Sequence, residues 1–251
     1  MKRVYRLGLL GRDIGYSRSP ELFAEIFRRE GLDGSTYRLI DRPEVGPFFI
    51  EVRSTTHWDG FNVTTPYKTT VIPYLDRLDP LSTTVGAVNC VTCREGILTG
   101  YNTDVEGFAA SLREEVGEGT LPGSALILGS GGASRAVGVA LEQLGIPSET
   151  VSRSRGLTYE ELTPERLART PLIVHATPLG SAKYPGAKPP LPYDALHPGQ
   201  LLIDLTYEPE VTPFLKEGLA HGCRTANGLT MLRAQAEAAW HHFRDRRISE
   251  P

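Results

Sequence analysis

Two stretches of this chain carry residue types that do chemistry. The first is Gly129-Ser130-Gly131-Gly132-Ala133-Ser134, which follows the apolar run Ala125-Leu126-Ile127-Leu128 and opens a helical segment. Glycines suit such a turn because the chain reverses sharply and its backbone must approach a pyrophosphate closely. The helix start then offers free N–H groups and a partial positive charge to the phosphates. Ser134 stands at the third fingerprint position, where Gly or Ala is usual. A dinucleotide site of this kind normally carries an acid about 20 residues on, to hold the ribose 2′-hydroxyl. Here the next strand ends in Ser152-Arg153-Ser154-Arg155, with no acid before Glu160. A guanidinium suits a 2′-phosphate, so the expected cofactor is NADP.

The second stretch is a scattered set of polar groups. Ser17 and Ser19 flank an arginine in "GYSRSP"; "GFNVTTPYK" supplies Asn62, Thr64 and Lys68; "GAVN" supplies Asn89; and "GYNTD" supplies Asn102, Thr103 and Asp104. Singly, each has a plain structural explanation, because Ser, Asn and Asp favour turns and helix caps. Asp104 and Ser19 are both placed to cap the helices that follow them. Together they put one ammonium, one carboxylate and several neutral hydrogen-bonding groups at the C-terminal ends of strands, where open α/β sheets bind ligands.

The elements that must position these groups alternate. Strand patterns fall at 6–10, 37–40, 60–64, 87–93, 97–101, 125–128, 150–152, 172–175 and 201–204. Helical patterns fall at 20–30, 45–54, 68–75, 105–116, 133–144, 159–168, 213–220 and 230–245. This order predicts α/β units around parallel sheets, with a hairpin at 87–101 turning on Arg94-Glu95-Gly96. The expected fold is α/β in two lobes: residues 1–104, a Rossmann-like doubly wound lobe over 105–226, and a final helix, 227–251, returning to the first lobe. Leu229, Leu232, Ala236, Ala239 and Trp240 give that helix one apolar face.

Bulk properties exclude several classes. With 251 residues, 40% hydrophobic, 23% charged and a net charge of −3, the chain has the balance of an ordered globular protein. Nothing in that balance points to nucleic acid or a membrane surface as partner. The basic cluster Arg244-Asp245-Arg246-Arg247 suits a solvated helix end. No apolar run approaches the ~20 residues of a membrane span, and the short N-terminal one is broken by Arg6. A cytoplasmic location is expected. Cys90 and Cys93 lie on a strand pattern, and only Cys223 remains as a further cysteine ligand, so ordinary thiols and no metal are expected.

Taken in order, "SRSP" (17–20), "NVTTPYK" (62–68), "GAVN" (86–89), "GYNTD" (100–104), "GSGGASRA" (129–136), "SRS" (152–154), "ATPLG" (176–180), "DLTYEPEVTPFL" (204–215) and "NGLTMLRAQ" (227–235) resemble the shikimate dehydrogenase family over nearly the whole chain. That resemblance implies a substrate-binding and catalytic lobe, an NADP-binding lobe, and NADPH-dependent reversible reduction of 3-dehydroshikimate to shikimate, in the pathway to chorismate and aromatic amino acids. It implies that Ser17, Ser19 and Tyr207 bind the substrate carboxylate, and that Thr64, Asn89 and Gln235 bind ring hydroxyls. It places Lys68 and Asp104 at the reacting carbon. Gly129, Ser130, Gly131, Gly132, Ala133, Ser152, Arg153, Ser154, Leu205 and Gly228 would line the cofactor, and the state would be monomer or homodimer. Ketone reduction needs a proton, or a positive charge, at the developing alkoxide, and a lysine beside a carboxylate supplies either.

The chain departs from the family pattern in places. Ser152 and Ser154 replace Asn and Thr, His175 and Ser181 replace Asn and Met, and Glu208 replaces a frequent Asn. His175 is expected to be a packed strand-end residue. A sister activity on quinate, with NAD, is the nearest alternative. A nucleotide-sensing protein without catalysis would be favoured by loss of Lys68 or Asp104, and both are present. A glutamyl-tRNA reductase would need a nucleophilic cysteine and a basic surface.

Overall fold

The computed structural model describes residues 3–55, 57–153 and 156–245. Close contacts divide the chain into two units, one built from residues up to Asp104 together with those from Arg233 onward, the other from Val105–Leu232.

The first unit begins with β1 (Arg6–Gly11), α1 (Ser19–Glu30), β2 (Thr36–Asp41), α2 (Gly46–Ser54) and β3 (Gly60–Val63). It continues through β4 (Arg77–Leu78), α3 (Pro80–Val85), β5 (Cys90–Arg94), β6 (Ile97–Tyr101) and the start of α4 (Asp104–Val116). The second unit holds β7 (Ala125–Leu128), α5 (Gly132–Gln143), β8 (Ser148–Val151), α6 (Pro164–Arg169) and β9 (Leu172–His175). After these come β10 (Leu201–Asp204), α7 (Pro213–Ala220), β11 (Arg224–Ala226) and the first turn of α8 (Leu229–Arg244), whose remainder belongs to the first unit.

Among the described residues, the six strands of the first unit lie in the order β2-β1-β3-β5-β6-β4. β1 pairs in parallel with β2 and β3, whereas β5 runs antiparallel to β3 and to β6. The carboxyl ends of β1, β3 and β6 therefore share one edge with the amino end of β5. Apolar side chains cover both faces, as a sheet clothed by helices requires. Phe48, Phe49, Phe61 and Val63 form the cluster under α2. Tyr5, Leu7, Phe23, Phe27, Trp240 and Phe243 form the cluster that α1 and α8 share. Arg29 clamps Glu237 through two hydrogen bonds of 2.6 and 2.8 Å, tying α8 to α1.

Among the described residues, the second unit has five parallel strands in the order β11-β10-β9-β7-β8. In chain order this is 2-1-3-4-5, a doubly wound sheet with its switch point between β7 and β9. It is one strand short of the six-stranded 3-2-1-4-5-6 arrangement. Its core gathers Leu126, Leu128, Ile173, Leu202, Phe214 and Leu215.

Several expected elements differ. The pattern at 68–75 predicts a helix, but the chain makes turns and only a 3-10 turn at Ile72–Tyr74. Thr69-Thr70-Val71-Ile72 is a run of β-branched residues and Pro73 lacks an N–H, so a continuous helix is disfavoured there. The helix expected over 159–168 is confined to Pro164–Arg169, because Pro164 holds Thr163 extended (ψ 157°), where its side chain caps Arg166 N. The additional helix α3 is bounded by Asp79-Pro80 before it and Gly86 after it. Asp79 accepts from Leu81 and Ser82 N–H groups, and Gly86 takes φ +66°.

Cys90 and Cys93 are free thiols three apart on β5, and burial raises the pKa of both above the ordinary thiol range. Among the described residues, no helix is long and apolar enough to cross a membrane. No group of three or more His, Cys, Asp or Glu side chains there could hold a metal ion.

Candidate active site

At the shared edge of the first sheet, Lys68 Nζ lies 2.6 Å from Asp104 Oδ2. The ammonium keeps 18% of its side chain exposed and the carboxylate 6%, so one end of the pair faces solvent. β5 pairs Cys90 with Tyr101 on β6, and Asn89, just before β5, donates its N–H to Tyr101 O at 3.0 Å. Asn89 Nδ2 then donates to Asp104 Oδ1 (2.9 Å) and Thr103 Oγ1 (3.0 Å), and Asn89 Oδ1 accepts from Thr103 N–H (2.7 Å). Each carboxylate oxygen of Asp104 thus has its own donor. Asp104 is the first residue of α4, and its N–H donates to Asn102 Oδ1 at 3.1 Å. The capping role expected of Asp104 falls to Asn102, which frees the carboxylate for Lys68.

Gln235, on α8, joins the same group through Oε1, 3.4 Å from Asn89 Nδ2 and from Thr103 Oγ1. Thr64 follows β3 and donates its N–H to Leu10 O at 2.9 Å, beside the end of β1. The structure therefore gathers Lys68, Asp104, Asn89 and Gln235 into one network, with Thr64 on the same edge. Tyr207 belongs to the second unit, in the segment after β10.

The serine turn follows β1 on that edge. Ser17 Oγ and Ser19 Oγ are 3.2 Å apart, and Ser17 Oγ accepts the Ser19 N–H at 3.3 Å. α1 begins at Ser19 and has no side-chain cap at Arg18, so the expected capping by Ser19 does not occur. Tyr37, on the neighbouring β2, donates its O–H to Asn62 Oδ1 at 2.9 Å. Burial raises the Tyr37 pKa well above the usual phenol range. Asn62 Nδ2 donates to Asn89 O at 3.0 Å. A chain of hydrogen bonds thus runs from Tyr37 through Asn62 and Asn89 to the Lys68–Asp104 pair. Tyr37 is the member that sequence reasoning missed, since an aromatic on a strand carries no polar signature.

In the second unit the glycine-rich turn stands where expected, between β7 and α5. Gly129 takes φ +121°, and a side chain there would meet Ala176 O and Thr177 Cγ2, 2.9 and 3.0 Å from an added Cβ. Gly131 precedes α5 with no side-chain cap, and an added Cβ there meets nothing within 4 Å. Ser134 closes the turn, donating its hydroxyl to Gly129 O at 2.5 Å. Ser130, Gly132 and Ala133 are half-buried around this uncapped helix start. Ser152 is buried at the end of β8 and Arg153 is exposed after it, while Ser154 and Arg155 lie outside the described residues.

Leu205 follows β10 and Gly228 follows β11 on the same carboxyl edge. A Cβ on Gly228 would sit 2.1 Å from Leu205 O, backbone against backbone. Gly228→Ala is expected to cost about 1–3 kcal/mol of stability through overpacking. A thermal melt checks this, at roughly 2–4 °C per kcal/mol for a chain of this size.

The family model for the shikimate dehydrogenase substrate binding domain matches residues 9–91. A shikimate dehydrogenase (NADP(+)) of Streptomyces avermitilis is 37% identical over 268 residues, covering 96% of this chain and 91% of the relative. Shikimate 5-dehydrogenase from Thermus thermophilus, solved in complex with NADP(H) and shikimate, matches with a TM-score of 0.85 at 32% identity, covering 96% of this chain and 94% of that one. Quinate dehydrogenase from Corynebacterium glutamicum, solved in complex with NAD, matches with a TM-score of 0.84 at 28% identity, covering 96% and 94%. Identity at this level, sustained over nearly the full length of both partners, is the mark of common descent rather than of a shared architecture alone: the chain belongs to the shikimate dehydrogenase family.

Proposed function

We propose that this chain is an NADP-dependent shikimate dehydrogenase, reducing 3-dehydroshikimate reversibly to shikimate, with Lys68 and Asp104 as its catalytic pair. The observation that carries the assignment of roles is the 2.6 Å contact between Lys68 Nζ and Asp104 Oδ2, with Asn89 holding the other carboxylate oxygen.

The residues of the second unit fit the cofactor. The open side of Gly131 admits a diphosphate against the N-terminus of α5, and Arg153 offers a guanidinium at the end of β8 with no competing acid there. Ser130, Gly132, Ala133, Ser152, Leu205 and Gly228 complete the lining; Ser154, given the same role by the family resemblance, lies outside the described residues. When bound, NADPH supplies the hydride. Lys68 donates a hydrogen bond to the carbonyl oxygen, concentrates positive charge where the alkoxide develops, and its ammonium supplies the proton that completes the alcohol. Asp104 holds the ammonium in place and compensates its charge. Ser17 and Ser19, with Tyr207, bind the substrate carboxylate; Thr64, Asn89 and Gln235 bind ring hydroxyls. We place the protein in the cytoplasm, as a monomer or homodimer; light scattering on the purified protein decides between those two states.

Initial rates with shikimate and with quinate, each with NADP+ and with NAD+, test the reading. Turnover confined to shikimate and NADP+ is expected. A preference for quinate or NAD+ would move the chain to the sister activity, and no turnover on any pair would overturn the assignment. Arg153→Ala is expected to raise the KM for NADP+ by about 10–100-fold, the loss of charge-assisted hydrogen bonds, while leaving NAD+ kinetics little changed. Equal effects on both cofactors would place Arg153 away from the 2′-phosphate.

A further inference from the structure

His175 ends β9, and both it and Asp204 at the end of β10 are wholly buried, at 0% exposure. His175 Nδ1 lies 3.0 Å from Asp204 Oδ2, and His175 Nε2 lies 2.5 Å from Thr177 Oγ1. The surrounding donors fix the direction of the bond at Asp204. Asp204 Oδ2 also accepts the Thr212 hydroxyl (2.6 Å), and Asp204 Oδ1 accepts Thr206 N–H (2.9 Å). Thr177 Oγ1 also accepts Leu179 N–H at 3.3 Å. The carboxylate takes an N–H at Nδ1, and in the neutral imidazole that leaves the Nε2 lone pair to accept the Thr177 hydroxyl.

The consequence lies at the glycine-rich turn. Thr177 and Ala176 are the groups that crowd Gly129, and Leu205 N–H donates to His175 O at 2.9 Å. One buried imidazole therefore ties the segment after β9 to the segment after β10, beside the turn.

We propose that His175 is a positioning residue for the dinucleotide: anchored through Nδ1 by Asp204, it holds the Thr177 hydroxyl through Nε2 and so sets the 176–179 segment against Gly129. This rests on the reading of the turn at 129–134 as the NADP site.

The test compares His175→Asn, His175→Gln and Thr177→Val with the parent protein. Asn keeps an N–H for Asp204 and lacks the reach to Thr177, whereas Gln extends an amide oxygen towards Thr177. The KM and dissociation constant for NADP+ are expected to rise about tenfold in His175→Asn and Thr177→Val, the scale of one lost ordering hydrogen bond. Shikimate KM should stay within about twofold, a change too small to count as a lost contact, and His175→Gln should recover part of the loss. Nitrogen-15 spectra of the histidine-labelled parent protein should show His175 as the Nδ1–H tautomer, a readout that needs no variant to fold. An Nε2–H tautomer, or NADP+ binding unchanged in Thr177→Val, would overturn the proposal. A parent protein that fails to bind NADP+ at all would instead overturn the cofactor reading on which it rests.

Discussion

Lys68→Ala lowers kcat by about a thousandfold at saturating shikimate and NADP+, while the KM for shikimate changes by less than about tenfold. The size follows from what is removed: a charged donor aimed at developing negative charge typically accounts for 10²–10⁴-fold, roughly, in turnover. The asymmetry between kcat and KM follows because the ammonium interacts more strongly with an alkoxide than with a ketone or alcohol, so its loss is felt in the transition state. The fold should survive the change. Lys68 is partly exposed, and the carboxylate left behind still receives Asn89 Nδ2 at 2.9 Å. Steady-state kinetics beside a circular dichroism melt give both quantities, and a variant within about tenfold of the parent kcat would remove Lys68 from the catalytic role.

Asp104→Asn is the second large effect, and it is expected to appear in stability as well as rate. The side chain keeps its shape but offers one acceptor where two are needed. Asp104 Oδ2 accepts from Lys68 at 2.6 Å and Asp104 Oδ1 from Asn89 at 2.9 Å. Whichever way the amide is turned, one NH2 faces another donor. The cost of such a buried mismatch is about 1–3 kcal/mol. Lys68 then loses its countercharge and its aim at the substrate oxygen, so kcat should fall by about a hundredfold. A melt lowered by several degrees together with that kinetic loss is the expected pair of results. Parent-like kcat in the asparagine variant would reduce Asp104 to a structural partner.

Much of the fold was legible in the chain. The runs Arg6–Leu10, Ala125–Leu128, Leu172–His175 and Leu201–Asp204 are short, apolar and bounded by turn residues, and each is a buried strand of a parallel ladder. What misled was local: a helical apolar period at 68–75 that β-branching and Pro73 override, and a helix start at 159 that Pro164 moves to itself. Short elements escaped for another reason. β4 is two residues and β11 three, too few for any period to show, and both are strands only because a neighbour supplies their hydrogen bonds.

The site divides the same way. Residue types and their place at strand ends were determined by the sequence alone: a glycine turn after an apolar run, an arginine where an acid would select NAD, a lysine and an aspartate each just past a strand. Which of them meet was decided by tertiary structure. Lys68 and Asp104 are 36 positions apart, and Asn89 and Gln235 are 146 apart. They come together because β5 runs antiparallel between β3 and β6, turning the start of one strand towards the ends of two others, and because α8 returns to the first unit. The same holds for His175, whose burial follows from strand pattern but whose partners, Asp204 and Thr177, follow from the β9–β10 register. Side-chain chemistry is a property of the residue, whereas a hydrogen bond between distant residues is a property of the sheet that aligns them.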